Sequence, residues 1–272
     1  MAKNTRIKKM YDLKDLSQTW NGEEILEVFK PFGYTPKEVV EEVKKKTGAK
    51  KGAFSGRLDP MACGCIKIFL NDSCKLANTS NKINKTYRFI FACNISSSSG
   101  DMLGVPNYKR ELKGVRKDDI VIFLETIKGG NYDQMMPALS SYQVSNAKGE
   151  KHPLWWWTQN ERLDEVYLPS FIKTLYKYDI KGFGLISLRN LADLAISRIS
   201  LIDRKHSFNQ DFILNYWRRL KVLPDNILTF EMSATVSSGF YIRQLVKDIG
   251  TFIGVGTMTV EIERLFFLKK FI

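Results

Sequence analysis

From Tyr87 to Ile95 every second residue is apolar: Tyr87, Phe89, Phe91, Cys93 and Ile95, with Arg88 and Asn94 among those facing the other way. A period of two puts the apolar set on one face of an extended strand, whereas a helical period of about 3.6 would scatter it. The alternation recurs at Ile66, Ile68 and Leu70, and again at Phe230, Met232, Ala234 and Val236 ahead of a Ser237-Ser238-Gly239 turn. Helical signals lie between these strands without the regular βαβ rhythm of a doubly wound sheet. The pattern predicts an α+β fold with a mixed, largely antiparallel sheet flanked by helices.

The helical signals are specific. Thr35-Pro36-Lys37-Glu38 has the form of a capping box with proline in the first turn. Val39, Val40 and Val43 follow as an apolar stripe, Lys44 to Lys46 suit the C-terminal dipole, and Gly48 can close the helix. From Tyr241 the period changes: Ile242, Leu245, Val246 and Ile249 form a helical stripe, with Arg243, Gln244, Lys247 and Asp248 off it and Gly250 as the expected end. A more polar helix is expected around Asp118 to Thr126, and loops at Lys50 to Gly64 and Ser96 to Gly104.

Composition narrows the class of partner. Lys and Arg total 42 against 29 Asp and Glu, a formal charge of +13 in 272 residues, which favours a polyanion and nucleic acid first. No apolar run approaches the ~18–20 residues of a membrane span, and the basic N-terminus has no apolar stretch of a secretory signal behind it. Cys63 and Cys65 are separated by one residue, Cys74 and Cys93 stand alone, and the two histidines, His152 and His206, are distant from all four. That spacing predicts neither a disulfide framework nor a zinc site, so a reducing, cytoplasmic setting is the expectation.

The richest chemistry lies in Lys51-Gly52-Ala53-Phe54-Ser55-Gly56-Arg57-Leu58-Asp59-Pro60, a basic, glycine-containing loop with an aspartate fixed in front of proline. It lacks the G-x4-G-K-[ST] pattern of a nucleoside-triphosphate loop. Phe54 to Gly64 resembles the catalytic motif of the TruB-type RNA pseudouridine synthases, G-H-x-G-x-L-D-P-x-A-x-G, with Phe54 where that family has histidine. Further stretches resemble the family in the same order: Lys30-Pro31-Phe32-Gly33, Lys85-Thr86-Tyr87-Arg88, the Ser97 to Gly104 loop with Asp101, Ser238-Gly239-Phe240-Tyr241-Ile242-Arg243, and Ile262-Glu263-Arg264-Leu265.

The resemblance implies a pseudouridine-synthase-like sheet and a cofactor-free reaction: cleavage of a uridine N-glycosidic bond, rotation of the base and rejoining through carbon. It implies Asp59 as nucleophile, leaving open whether sugar or base is attacked, Arg243 as its bidentate partner, and Tyr87 stacked on the base. Phe54, Gly56, Arg57, Leu58, Asp101, Tyr241, Leu265 and Lys30 are the substrate-contacting set it implies. It also implies tRNA, through its T-arm, as partner of a monomeric enzyme modifying the T-loop uridine. An RNA-guided, dyskerin-like subunit and a catalytically weak tRNA-binding relative remain as alternatives.

The expected organisation is a short basic tail over 1–16 and a catalytic domain over 17–272. A thumb-like RNA clasp is expected at about 130–165, without a C-terminal PUA domain. Within the clasp, Gln134-Met135-Met136-Pro137 echoes the family's Q-x-P-P, and Trp155-Trp156-Trp157 either stack on RNA or fill core.

Overall fold

Eight strands form one central sheet, in the order Met10–Tyr11, Ile25–Lys30, Ala62–Leu70, Thr257–Phe267, Lys85–Cys93, Asn226–Val236 and Leu175–Ser187, with Gly52–Ser55 paired to Ala62–Leu70 off this path. The computed structural model describes residues 10–110, 114–206 and 208–267. Two neighbouring pairs are parallel, Met10–Tyr11 with Ile25–Lys30 and Thr257–Phe267 with Ala62–Leu70; the other pairings are antiparallel. The fold is therefore α+β with a mixed, largely antiparallel sheet. Strand Thr257–Phe267, the last among the described residues, sits at the centre, which brings Ile262 to Arg264 beside Ala62 to Gly64.

Helices cover both faces. Phe89, Phe91 and Cys93 share one core with Met232, Ala234 and Val236, under helices Lys117–Ile127 and Ile242–Ile253. Ala92, Ile227 and Met258 carry a second core under helices Leu188–Ser200 and Gln210–Leu220. Helix Pro36–Thr47 covers Leu26, Val28, Ile66 and Ile68 through Val39, Val40 and Val43. Its capping box is complete: Glu38 N–H donates to Thr35 Oγ1 at 3.3 Å, Thr35 N–H donates to Glu38 Oε2 at 2.8 Å, and Gly48 closes it with φ 73°.

Four expectations need correction. Residues 10–16 of the expected tail belong to the fold: Met10–Tyr11 pairs with the sheet, and Tyr11, Leu13 and Leu16 are buried in the third core; residues 1–9 lie outside the described residues. Strand Gly52–Ser55 occupies part of the expected 50–64 loop, because its amides find partners along Ala62–Leu70. The Tyr87 to Ile95 alternation is interrupted at Asn94, whose φ of 61° ends one strand at Cys93 and starts the short strand Ile95–Ser97. Helix Ile242–Ile253 runs past Gly250 to a left-handed cap at Gly254. Gly250 instead admits a close approach of Thr257, whose hydroxyl donates to the Val246 carbonyl at 2.7 Å.

Candidate active site

Strands Gly52–Ser55 and Ala62–Leu70 make a hairpin whose tip is residues 56–61, and Asp59 stands on that tip. The tip is held from three sides. Ala62 N–H donates to the Asp59 carbonyl at 3.0 Å, and Gly33 N–H donates to the Pro60 carbonyl at 2.9 Å. The third hold is Arg264. Its fully buried guanidinium donates to the carbonyls of Cys65, Arg57 and Gly56 at 2.7, 3.1 and 3.0 Å. Gly64 makes that approach possible, since a Cβ there would overlap the Arg264 backbone.

Arg243, at the start of helix Ile242–Ile253, donates from Nε to Asp59 Oδ2 at 2.8 Å. The Arg243 side chain is 4% exposed and that of Asp59 39%, so the pair joins a fixed cation to a carboxylate open to solvent. The contact is not the bidentate fork expected from the sequence. Nη1 and Nη2 donate instead to the carbonyls of Ser99 at 2.5 Å and Leu139 at 3.3 Å, tying the guanidinium to two loops. Asp101 Oδ2 lies 3.6 Å from the same Nε and is braced by Ser99 Oγ at 2.6 Å and Leu103 N–H at 2.9 Å. Burial alone would lower the Arg243 pKa, but Asp59 and Asp101 outweigh it and raise it; burial raises that of Asp101.

Two cavities meet at this pair. The smaller, about 290 Å³, is lined by Tyr87, Tyr241, Ile262, Lys85, Gly56 and Phe240 as well as Asp59 and Arg243. Lys85 Nζ donates to the Ile83 carbonyl at 2.8 Å, and burial, reinforced by Arg264, Lys173 and Lys67, lowers the amine to about 8. Burial, then the nearby Asp59, raises the Tyr241 hydroxyl. Gln134 fixes the Tyr241 backbone from both sides, donating to its carbonyl at 3.0 Å and accepting from its N–H at 2.8 Å. The larger cavity, about 620 Å³, contains Phe54, Trp155 and Asp101 in its walls; Arg57, Leu58 and Asp59 border both.

Most of the residues singled out in the sequence thus converge on one place, with two exceptions. Lys30 is fully buried and turned away from both cavities, donating to the carbonyls of Pro31 and Tyr34 at 3.0 and 2.6 Å. Burial brings its pKa to about 7. Leu265 lines neither cavity; it is the residue left unpaired where the strand register shifts between Arg264 and Phe266. Ile262 forms that wall instead. Arg264 and Gln134 are the positioning groups that sequence reasoning missed; both lay inside quoted motifs, the only available signal.

The three tryptophans divide. Trp157 is core, Trp156 stacks on His152 with centroids 3.8 Å apart, and Trp155 faces the larger cavity. Among the described residues no group of three or more His, Cys, Asp or Glu side chains could hold a metal ion, and no helix is long and apolar enough to cross a membrane.

Comparison with known proteins finds likenesses to one family of RNA-modifying enzymes over part of the chain. Residues 44–152 match the TruB family pseudouridylate synthase N-terminal domain. The tRNA pseudouridine synthase B of Thermotoga petrophila is 26% identical over 242 residues, covering 88% of this chain and 61% of that protein. Its namesake from Clostridium novyi is 32% identical over 124 residues, 46% of this chain and 42% of that protein. A solved Cbf5–Nop10–Gar1 complex contains a chain of the same fold, with a TM-score of 0.51 and 17% identity over 89% of this chain and 48% of that one. Residues 44–152 are thus similar to the TruB family, and the chain spans about 61% of the length of the Thermotoga relative.

Proposed function

We propose that the protein is a tRNA pseudouridine synthase that isomerises the T-loop uridine, with Asp59 as the nucleophile. The observation that carries this reading is the Asp59–Arg243 pair at the mouth of a nucleoside-sized cavity walled by Tyr87, Tyr241 and Ile262.

Pseudouridine formation breaks the N1–C1′ bond, turns the base, forms C5–C1′ and moves one proton from C5 to N1. Atoms and electrons balance within the substrate, so the reaction needs no redox partner. A carboxylate bridges the two halves by adding covalently and leaving again. Asp59 suits that role: one oxygen is held by Arg243 Nε, and the partly exposed side chain leaves the other available to substrate. Three backbone anchors limit movement of the carboxylate. Tyr87 in the cavity wall supplies a face for the displaced base, and Ile262 from the neighbouring strand lines the same cavity.

A uridine stacked inside an RNA loop must swing out to reach this cavity. The charge of +13 favours phosphate contact along the way. In this reading, residues 130–165 act as the clasp, with Trp155 directed at the RNA. The test is incubation of unmodified tRNA transcripts with the purified protein, followed by nucleotide-resolution mapping of pseudouridine. One new pseudouridine in the T-loop supports the reading; no conversion, or conversion confined to another arm, contradicts it.

A further inference from the structure

Helix Ile242–Ile253 starts at the candidate active site with Arg243 and ends at the left-handed cap Gly254. At 1.5 Å per residue that end lies roughly 16 Å further along the axis. There the helix end, the Asn94 corner, the paired strands Ile95–Ser97 and Pro106–Tyr108 and the start of strand Thr257–Phe267 surround a third hollow of about 850 Å³. It shares no wall residue with the two cavities at Asp59.

One side chain in its wall is not accounted for by folding alone. Asn94 is 5% exposed, and among the described residues its carboxamide has no hydrogen-bond partner. Its φ of 61° ends strand Lys85–Cys93, and its carbonyl accepts from Lys109 N–H at 3.2 Å. Glycine would make the same turn without strain. A carboxamide buried without a partner costs about 1–3 kcal/mol instead, so this one is placed to meet a group that enters the hollow.

The other walls define the chemistry of that group. Ser96 and Asn107 face each other across their two strands and add a hydroxyl and a second carboxamide, also without partners among the described residues. Lys109 and Lys247 stand in the walls and no acidic residue does; among the described residues neither ammonium has a carboxylate partner. A helix C-terminus carries about half a negative charge, which two full positive charges outweigh. The Gly250 carbonyl at that end is already taken by the N–H groups of Gly254 and Val255. Hydrogen-bond donors beside unpaired ammonium groups, with no carboxylate among them, are the chemistry that binds phosphate oxygens.

We propose that this third hollow is a phosphate-binding site, separate from the candidate active site, in which Asn94, Ser96, Lys109 and Lys247 receive the oxygens of a phosphate group. The phosphate is that of a free small molecule or of the backbone of a bound RNA, since both present the same oxygens to the same donors.

The experiment titrates inorganic phosphate into the intact chain at constant ionic strength and follows its backbone amide NMR signals. Those of Ser96, Gly254 and Gly256 should shift saturably. Asn94→Gly keeps the turn and removes the carboxamide, and it should weaken phosphate binding by about fivefold or more; Lys247→Ala should weaken it by about tenfold. Asn94→Asp, which also tolerates the left-handed turn, puts a carboxylate in the wall and should abolish binding. Melting temperatures check that all three variants remain folded. Absence of a saturable shift at these amides, or variants that bind phosphate as the wild type does, would overturn the proposal.

A T-arm stem–loop RNA separates the two sources. If the phosphate is that of RNA, Lys247→Ala should weaken RNA binding and lower its salt slope by about one counterion. If it is that of a free molecule, RNA affinity should stay within about twofold while phosphate binding falls. The readout is independent of uridine conversion: a protein that binds phosphate here and forms no pseudouridine would defeat the proposed function and leave this site standing.

Discussion

Arg243 grips Asp59 with a single nitrogen, Nε at 2.8 Å from Oδ2, while its two terminal nitrogens hold the carbonyls of Ser99 and Leu139. One guanidinium thus fixes the carboxylate and the two loops around it. An ammonium at the end of a lysine chain cannot span these three acceptors.

Arg243→Lys is therefore expected to lower the single-turnover rate of tRNA modification by at least about a hundredfold, and Arg243→Met should also destabilise the fold by roughly 3–5 kcal/mol by leaving Asp101 buried without its cation. Single-turnover kinetics beside thermal melting check both. A lysine variant with near-normal turnover would show that the three-way grip is dispensable.

Gly64 has φ 110°, and a Cβ on it would run into the Arg264 backbone where the two parallel strands meet. Gly64→Ala is expected to cost about 3–5 kcal/mol of stability. Denaturant unfolding measures it, and a loss below about 1 kcal/mol would mean that the strands can separate there without consequence.

Glu38 supplies a pH signature. Burial alone would raise its carboxyl, but the Thr35 N–H, His206, Lys205 and the Thr35 hydroxyl together hold it at about 2, below the ordinary 4.5. A depressed folded value means that stability is fully present above the unfolded pKa and is lost as pH falls from about 4.5 toward 2. Glu38→Gln should cost about 2 kcal/mol near neutrality, and the difference should shrink across that acid window. Melting curves of both proteins over the range provide the check; a difference independent of pH would contradict the assignment.

Phe54 stands where the motif it resembles has histidine, and it lies half-buried between the third core and the larger cavity. Phe54→His should keep the flat face and the rate, whereas Phe54→Ala should slow single-turnover modification by about tenfold at temperatures well below melting. An alanine variant that loses activity only as it unfolds would make the ring a core residue and nothing more.

The sequence displayed its local rules well and its long-range ones poorly. The Thr35–Glu38 box and the Gly48 cap were legible because every participant lies within one helix. Arg243 and Gln244 fall off the apolar stripe of their helix yet are buried: Arg243 turns into the site, and the Gln244 amide donates to Asp248 at 2.8 Å. Strand Leu175–Ser187 gave no periodic signal: it is the sheet's edge, with Phe183 and Leu185 more than 70% exposed and helix Leu188–Ser200 following it directly. Lys30 and Leu265 show the limit of motif matching. Both occupy motif positions, but one is directed at a turn and the other lines neither cavity, while the unheralded Arg264 holds the loop that carries Asp59.

The most direct measurement is single-turnover conversion of uridine to pseudouridine in a T-arm substrate by the wild type and Asp59→Asn, with affinity for the same RNA measured in parallel. The wild type should convert the T-loop uridine, and Asp59→Asn should form no detectable pseudouridine while binding within a few-fold of the wild type. Measurable turnover by Asp59→Asn would remove Asp59 as the nucleophile and with it the central assignment.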